Sequence, residues 1–367
     1  MNVKSKKWAV SLLVIIAMVL GILAGFVAYV DPYFHYHGPI DSIEYLLDNE
    51  RYQNDGIVKH FEYDAIICGS SMTECFKTSE MDEIFGTHSI KVPFSGGSFK
   101  EVNDLLNVAT EYNDHITTVV RCLDYNRLFD DKDSMDYEDY PDFLYDKNPF
   151  NDVKYLFNMT ALMRAVQNVL GFDSSGKIET SFDKYANWMF KEPCSADVVN
   201  ANYNRAGLTY VGTQYDITDE EYEKLRQHIQ QNVIDFAVTH PDIECYYYFS
   251  PYNIYYMDFF YQNGNMKRQL LAERYVIEML LSIENIHLYS FFDNHELMWN
   301  LDLYKDIGHH SETVNTEILQ WIKNGTGLLT VDNYEAYCDA EYDFFMNLNY
   351  DAMYAELSGR DDVVLNH

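Results

Sequence analysis

A serine near one end of the chain and an Asp-His pair near the other are residue types that could together carry out acyl chemistry. Residues 63–74 read Y-D-A-I-I-C-G-S-S-M-T-E, so a short apolar run ends at Gly69 and Ser71 stands where a helical pattern starts. A helix N-terminus offers free N–H groups and a positive dipole, and both stabilise negative charge that forms beside a serine. Ser71 is therefore a candidate nucleophile.

The same letters also fit a purely structural role for Ser71. The run S-M-T-E at residues 71–74 is a capping-box pattern, in which the serine caps the helix and Glu74 returns the hydrogen bond. This segment alone does not separate the two interpretations.

The base that a serine nucleophile needs can come from the segment Y-K-D-I-G-H-H-S at residues 304–311. A histidine takes the hydroxyl proton well, and a carboxylate fixes its tautomer. Asp306 and His309 stand three apart in a predicted loop and can form such a pair, although this spacing is also common by chance. A metal site at His309 and His310 is an alternative, but zinc would need further ligands nearby. We expect neither a metal nor a cofactor.

Two other predicted strand ends carry residues that could stabilise an oxyanion. Gly96 and Gly97 follow the second strand and let the backbone approach a ligand closely. Asn126 follows the third strand and could donate its amide to the same oxyanion, because the ends of parallel strands gather at one crevice. Both segments are equally compatible with ordinary turns.

The elements that must position these residues alternate between strand and helix. Apolar runs predict strands at residues 64–68, 89–93, 117–123, 243–249 and 286–291. Apolar residues three and four apart predict helices at residues 72–85, 100–111, 219–238, 265–282 and 311–323. This alternation predicts an α/β fold whose parallel sheet is covered on both faces.

The order of these segments resembles the SGNH, or GDSL-like, hydrolase superfamily over residues 60–325, without an insertion at about 124–216. The resemblance implies a flavodoxin-like three-layer parallel sheet. It implies Ser71 as nucleophile, His309 as base and Asp306 as its orienting acid. The implied oxyanion hole consists of the Ser71 amide with Gly96 or Gly97, and Asn126.

The chain departs from that family at its third block, where Gly-x-Asn-Asp is expected and L-D-Y-N stands at residues 123–126. The role of Asn126 is therefore open. The G-x-S-x-G elbow of α/β-hydrolases is excluded, because Thr73 occupies the position of the last glycine.

Residues 8–30 carry no charge and are long enough to span a bilayer. Lys4, Lys6 and Lys7 precede them, which predicts a cytoplasmic N-terminus and an extracytoplasmic remainder in a single-pass protein of the cell membrane. The F-V-A sequence at residues 26–28 is a poor signal-peptidase site, so a retained anchor is favoured over a signal peptide. The predicted segments are a tail at 1–7, the anchor at 8–30, an aromatic juxtamembrane segment at 31–59, the SGNH-like domain and an acidic, Tyr-rich helical appendix at 326–367.

Composition limits the partners and the redox chemistry. The formal charge of −32 argues against nucleic acid and against anionic lipid surfaces. The dense acidic patch at residues 130–142 is interpreted as a solvated loop, with calcium binding as an alternative. The six cysteines include no C-x-x-C pair, and Cys68, Cys122 and Cys245 lie in strand-like runs, which predicts buried thiols.

An anchor followed by an SGNH-like domain is similar to the accessory proteins that acylate surface polymers, as in alginate O-acetylation or D-alanylation of teichoic acids. That resemblance implies an acylated glycan or surface polymer as substrate and a multi-span membrane acyltransferase as a candidate partner. The leading hypothesis is a Ser-His-Asp ester hydrolase or O-acyltransferase. The alternative is a catalytically silent domain that binds a glycan or a membrane partner.

Overall fold

The structure is a computed structural model that describes residues 3–135, 137, 140–189 and 193–359. The chain forms two compact units, which are described separately. Unit 1 combines Met1–Glu62 with Asp139–Ser181, and unit 2 combines Tyr63–Glu138 with Phe182–His367. The last residues of the predicted appendix and part of the predicted acidic loop lie outside the described residues.

Unit 2 contains a five-stranded sheet in which every neighbouring pair of strands is parallel. The strands are β1 (Ala65–Gly69), β2 (Ser89–Pro93), β3 (Thr118–Leu123), β4 (Glu244–Phe249) and β5 (Ile286–Tyr289). Their order is 2-1-3-4-5, one of the two common doubly wound orders. The predicted parallel α/β sheet is confirmed, and each strand lies within two residues of its predicted bounds.

Helices connect and flank these strands. In chain order they are α1 (Val3–Val30), α2 (Glu50–His60), α3 (Thr78–Phe85), α4 (Phe99–Tyr112), α5 (Asp142–Tyr145), α6 (Val153–Leu156), α7 (Met159–Leu170), α8 (Ala196–Asn202), α9 (Asp219–Ile229), α10 (Asp235–Thr239), α11 (Ile254–Gln262), α12 (Met266–Leu280), α13 (His295–Trp299), α14 (Glu312–Asn324), α15 (Tyr334–Asn347) and α16 (Tyr350–Ser358). A π-helical turn at Gln230–Ile234 joins α9 to α10. In unit 2, α3 packs against α14, and α4 packs against α10. Right-handed crossovers place the β1–β2 connection on the opposite face of the sheet from the later connections. This explains why α3 packs with α14 and α4 packs with α10.

The carboxyl ends of β1 to β4 lie along one edge of the sheet. The register pairs Gly69 with Pro93 across β1 and β2, and Leu123 with Phe249 across β3 and β4. Ligands of open α/β sheets bind outside this edge. A ligand site is therefore expected among the residues that follow these strands.

The predicted helix at residues 72–85 is wrong in its first half. A short 3₁₀ turn occupies Ser71–Thr73, and α3 begins only at Thr78. Lys91 on β2 is fully buried and donates to the carbonyl oxygens of Glu74 (2.5 Å) and Phe76 (2.8 Å). An α-helix would need those carbonyls for its own ladder, so the lysine keeps this segment out of the helix.

Unit 1 is built around the end of α1. Its core contains Val27 of α1 together with Tyr33, Leu144, Tyr155 and Ala161. Two-residue strands at Phe172–Asp173 and Gly176–Lys177 form a small antiparallel ladder after α7. Residues of the predicted insertion at 124–216 therefore occur in both units, and the predicted domain bounds remain a prediction.

α1 contains one segment, Lys6–Val30, that is long and apolar enough to cross a membrane, and it is exposed along most of its length. This is consistent with a single-pass anchor, while its orientation stays a prediction. The turn after it is folded around Asp31, which is fully buried and accepts from the backbone N–H of Tyr36 (2.6 Å) and the Tyr155 hydroxyl (2.7 Å).

Helices α12 and α15 together form a buried carboxyl pair in unit 2. Glu341 of α15 meets Glu273 of α12, and the pair also interacts with the Tyr125 hydroxyl. Burial raises the pKa of Glu273 to about 7. Burial, followed by the charge of Glu273, raises the pKa of Glu341 further above its usual value. The folded state therefore holds protons here that the unfolded chain releases.

We predict that Glu273→Gln reduces the loss of stability of unit 2 as the pH rises from 5 to 8. The folded pKa values lie above the unfolded ones, so the free energy of unfolding falls as pH rises from about 4.5 through about 7. Glutamine is neutral throughout this range. The variant's Tm should therefore fall less than that of the wild type between pH 5 and pH 8. Glu278→Gln, on an exposed part of α12, is the matched control, and equal pH slopes in all three proteins would contradict the prediction.

Candidate active site

Ser71, His309 and Asp306 form one hydrogen-bonded chain of side chains. The Ser71 Oγ lies 2.8 Å from His309 Nε2. The other ring nitrogen, Nδ1, lies 2.8 Å from Asp306 Oδ2 and 3.1 Å from Oδ1. The structure thus brings Ser71 together with two residues that lie more than 230 positions later in the sequence, in the geometry of a nucleophile, its base and an orienting carboxylate.

The spacing of three between Asp306 and His309 follows from the shape of their loop. Asp306 Oδ1 accepts from the backbone N–H groups of Gly308 and His309, each at 2.8 Å. The carboxylate therefore folds its own loop and presents the imidazole at the same time. Asn253, which follows β4, donates its Nδ2 to the Asp306 carbonyl at 2.7 Å and ties the loop to the sheet edge.

The electrostatics keep Asp306 ionised. Burial alone would raise its pKa, but the hydrogen bonds and charge of His309, with the two backbone N–H groups, lower the pKa of Asp306 below its usual value. His310 is different: burial lowers its pKa to about 3, and its Nε2 lies 3.1 Å from Ser250 Oγ. His310 is therefore a neutral core residue, and only His309 reaches Ser71.

Ser71 is not the residue that caps this turn, contrary to the capping-box interpretation of the sequence. Ser70, not Ser71, occupies the N-cap position, and its Oγ accepts from the Met72 N–H at 3.3 Å. Gly69 has φ +152, and an added Cβ would lie 2.9 Å from Cβ of Cys122. A glycine is therefore required where β1 ends, and the turn that follows directs Ser71 towards His309.

The two predicted glycines occupy different environments. Gly97 is buried and its N–H donates to the Phe94 carbonyl at 2.7 Å, which closes a four-residue turn. Gly96 is the third residue of that turn, with φ +63, a conformation that favours glycine. Gly96 is exposed and lines the cavity beside Ser71. Of the two, Gly96 is the one placed to face a ligand.

The end of β3 contributes two polar side chains to the same cavity. Asn126 is exposed and lies in a 3₁₀ turn, Tyr125–Arg127. Asp124 is buried and accepts from the Tyr252 hydroxyl at 3.1 Å. Burial raises the pKa of Asp124, against the opposing effect of hydrogen bonds from Ser70 and Tyr252.

The cavity has a volume of about 190 Å³. It is lined by Ser70, Ser71, Met72, Gly96, Asp124, Asn126, Arg127, Tyr252, Tyr256, Asp306, Ile307, Gly308 and His309. Sequence reasoning missed Asp124, Arg127, Tyr252 and Tyr256. The two tyrosines follow the end of β4, so the rule that collected the other strand ends would have pointed to them.

Arg127 holds the loop that carries Gly96. Its Nη2 donates to the Gly96 carbonyl at 2.6 Å, and its Nη1 lies 3.2 Å from Asp130 Oδ2. If Gly96 is an oxyanion donor, Arg127 fixes its position relative to Ser71. Arg127 would then be a positioning residue that acts through the glycine loop.

We predict that Arg127→Ala lowers kcat for ester hydrolysis by about 10-fold to 100-fold, because small misplacements of a catalytic group have effects of this size. KM should change less, since an oxyanion donor acts mainly in the transition state. Asp130→Asn is the matched control, because it removes the ion pair and keeps the contact with Gly96. An Arg127→Ala protein with unchanged Tm and unchanged kcat would refute the positioning role.

No group of three or more His, Cys, Asp or Glu side chains able to hold a metal ion occurs in the part of the chain that the structure describes. The imidazoles of His309 and His310 have different partners, Ser71 and Ser250. The cysteines at positions 68, 122 and 245 are buried free thiols, as predicted.

Comparisons with known proteins leave the family open. No family model matches the chain, and no curated protein matches it. Among solved structures, the chain is similar to a protein from Streptococcus pneumonia with the provisional description of a platelet activating factor. The identity is 10%, the TM-score is 0.35, and the match covers 75% of this chain and 90% of that chain. We draw neither fold nor function from a likeness at this level.

Proposed function

We propose that this protein is a serine-dependent acyl-ester hydrolase or O-acyltransferase. The observation that carries the proposal is the continuous chain from Ser71 Oγ through His309 to Asp306, with 2.8 Å at each of its two closest contacts. These three side chains border an open cavity, so a substrate can reach the serine.

In the proposed reaction, Ser71 Oγ attacks the acyl carbonyl while His309 Nε2 takes the serine proton. The charge that develops on the carbonyl oxygen would be stabilised by the N–H groups of Ser71 and Gly96 and by the Asn126 amide. The leaving alcohol then takes the proton from His309, which leaves an acyl-Ser71 ester. Water or a sugar hydroxyl then attacks that ester and gives its proton to His309, which returns it to Ser71 Oγ as the acyl–Ser71 bond breaks. Attack by water is hydrolysis, and attack by the sugar hydroxyl is transfer.

The size of the cavity favours a short acyl group. Ligand pockets for drug-sized molecules have volumes of about 300–1,000 Å³, whereas this cavity has about 190 Å³. A short group such as acetyl fits inside this space, whereas a long fatty-acyl chain would extend beyond it.

The walls of the cavity are compatible with a glycan. Tyr252 and Tyr256 stack on each other with ring centroids 4.1 Å apart, and both line the cavity. Tyr252 is buried, whereas Tyr256 is partly exposed, and a partly exposed aromatic ring can pack on the apolar face of a sugar. The chain's formal charge of −32 disfavours an anionic polymer held by charge, so we propose a neutral or cationic glycan of the cell envelope.

Membership of the SGNH superfamily and an extracytoplasmic location are parts of the same proposal. The order of the strand-end residues along the chain, the 2-1-3-4-5 sheet and the Asp-x-x-His loop support the family. The lysines before the uncharged run of α1 support the orientation. An acyltransferase that acts with a multi-span membrane partner gains more from an anchor than a free esterase does.

The proposal is tested in the cells that make the protein. We predict that replacing Ser71 by alanine lowers the ester-linked acyl groups on the surface polymer as much as deleting the gene does. Base-released acetate per mass of polymer is the measurement, and hydrolysis of small acetyl esters by the purified wild type should be slow.

Two other results would each point to a different function. A rise of polymer acylation in the Ser71→Ala strain would identify a de-acylating esterase. Unchanged acylation, together with no reaction of the wild type with a serine-directed phosphonate, would favour the alternative of a silent domain that binds a glycan or a partner.

A further inference from the structure

The apolar surface of unit 1 is concentrated beside the membrane-spanning helix. Of the eighteen exposed large apolar side chains described outside α1, nine lie in residues 150–172. This segment contains α6 and α7, and both helices pack against α1. Exposed apolar patches of this extent on a protein surface mark interaction sites.

α7 has its large apolar side chains on the exposed face, whereas a surface helix of a soluble protein has them on the buried face. Its inward face is made of small or polar residues, since the buried positions are Ala161, Ala165 and Asn168. Its outer face carries large apolar side chains at helical spacing: Met159, Met163, Val166 and Leu170, with exposed fractions of 68%, 58%, 42% and 66%. The small inward residues allow α7 to lie close to α1, and the large ones face away from the protein.

Residues 149–172 contain far fewer acidic side chains than the composition of the whole chain predicts. The chain has 58 acidic residues among 367, so 24 residues would hold about four. Residues 149–172 hold one acid, Asp152, which is buried. Of the two cations, Arg164 pairs with Asp48 at 2.7 Å. A surface that faced water in so acidic a protein would carry more carboxylates.

The length of α1 places α7 at the boundary of the bilayer. Residues 8–30 span about 34 Å at 1.5 Å per residue, and the hydrocarbon core is about 30 Å thick. One side of the last turn of α1 is buried in unit 1, where Val27 and Val30 are both fully covered. The part of α1 left for lipid is therefore about as long as the core is thick, and α7 packs where that part ends.

We propose that the outer face of α7 is inserted into the membrane and is covered by lipid acyl chains. α7 would be an interfacial helix that lies against the anchor, because such helices bury an apolar face at the boundary of headgroups and acyl chains. The proposal rests on α1 crossing the membrane and does not depend on the chemistry of Ser71. Lipid, rather than a second copy or another protein, is the occupant because the exposed apolar surface of α1 continues directly onto α7.

The test uses full-length protein reconstituted as single copies in phospholipid nanodiscs, which leave both membrane faces open to reagent. Met163→Cys and Val166→Cys are compared with Val238→Cys, whose valine is 56% exposed and lies in unit 2. A membrane-impermeant maleimide is added, and its adducts are located by peptide mass spectrometry so that the native cysteines do not interfere. The two α7 cysteines are expected to react at least tenfold more slowly than the cysteine at position 238.

A phospholipid with a diazirine near the end of its acyl chain provides an independent measurement. Photolysis is expected to label the peptide that contains Met159–Leu170 and to leave the peptide around residue 238 unlabelled. Equal maleimide rates with no photolabel on α7 would overturn the proposal. Protection in native membranes that disappears in nanodiscs would also overturn it, because a protein partner and not lipid would then cover the face.

Discussion

Replacing Ser71 by alanine is expected to abolish covalent reaction of the full-length protein with a fluorophosphonate. The wild-type hydroxyl lies 2.8 Å from His309 Nε2, so the histidine can take its proton as the oxygen attacks phosphorus. Alanine leaves the imidazole without a nucleophile. The measurement is the mass of the intact protein after incubation, with the adduct located on its peptide.

The matched control is Ser70→Ala, which removes the neighbouring hydroxyl. Ser70 caps the Met72 N–H at 3.3 Å, and loss of a cap costs about 1 kcal/mol. The variant should therefore be somewhat less stable and still form the adduct on Ser71. An adduct that persists in Ser71→Ala would show that another residue is the nucleophile.

Replacing His309 by alanine is expected to lower kcat/KM for p-nitrophenyl acetate by about 10³-fold or more, as removal of a triad member generally does. Without the imidazole, neither the serine proton nor the leaving-group proton has a carrier. Steady-state kinetics near neutral pH, with Tm measured alongside, give the comparison.

The adjacent histidine is the control for this assignment. His310→Gln should lower Tm more than it lowers kcat/KM, because His310 is fully buried beside Ser250. If a folded His310→Gln protein loses more activity than a folded His309→Ala protein, the base has been assigned one residue too early.

The sheet could be predicted well because the residues that end each strand are visible in the local sequence. Gly69, Pro93 and Ser250 stand at or just after the ends of strands whose interiors are buried, apolar and rich in β-branched or aromatic residues. The alternation with helices then requires parallel strands.

The candidate site was predicted in part for the same reason. Ser71, Gly96 and Asn126 lie two or three residues after the ends of strands, and Asp306 lies three residues before His309. Their positions therefore depend on short stretches of chain. Tyr252 was missed because the strand-end rule was not extended to β4, whereas no residue pattern distinguishes Arg127 from an ordinary surface residue.

The errors arose where distant residues decide the local structure. The helix predicted at residues 72–85 is shortened because Lys91, on the next strand, takes the carbonyls of Glu74 and Phe76. The composition of unit 1 could not be predicted, because it depends on Val27 packing with Tyr155 and Ala161, more than 120 positions away.

The discontinuity of unit 1 has a consequence for biosynthesis. Its two halves, Met1–Glu62 and Asp139–Ser181, are separated in the chain by the segment that contains β1, β2 and β3. At about 5–20 residues per second, the ribosome needs about 7–28 s to synthesise the 140 residues from position 31, just after α1, to position 170, the end of α7. The side chains of α1 that pack in the core of unit 1, such as Val27, therefore stay uncovered until α7 has been synthesised.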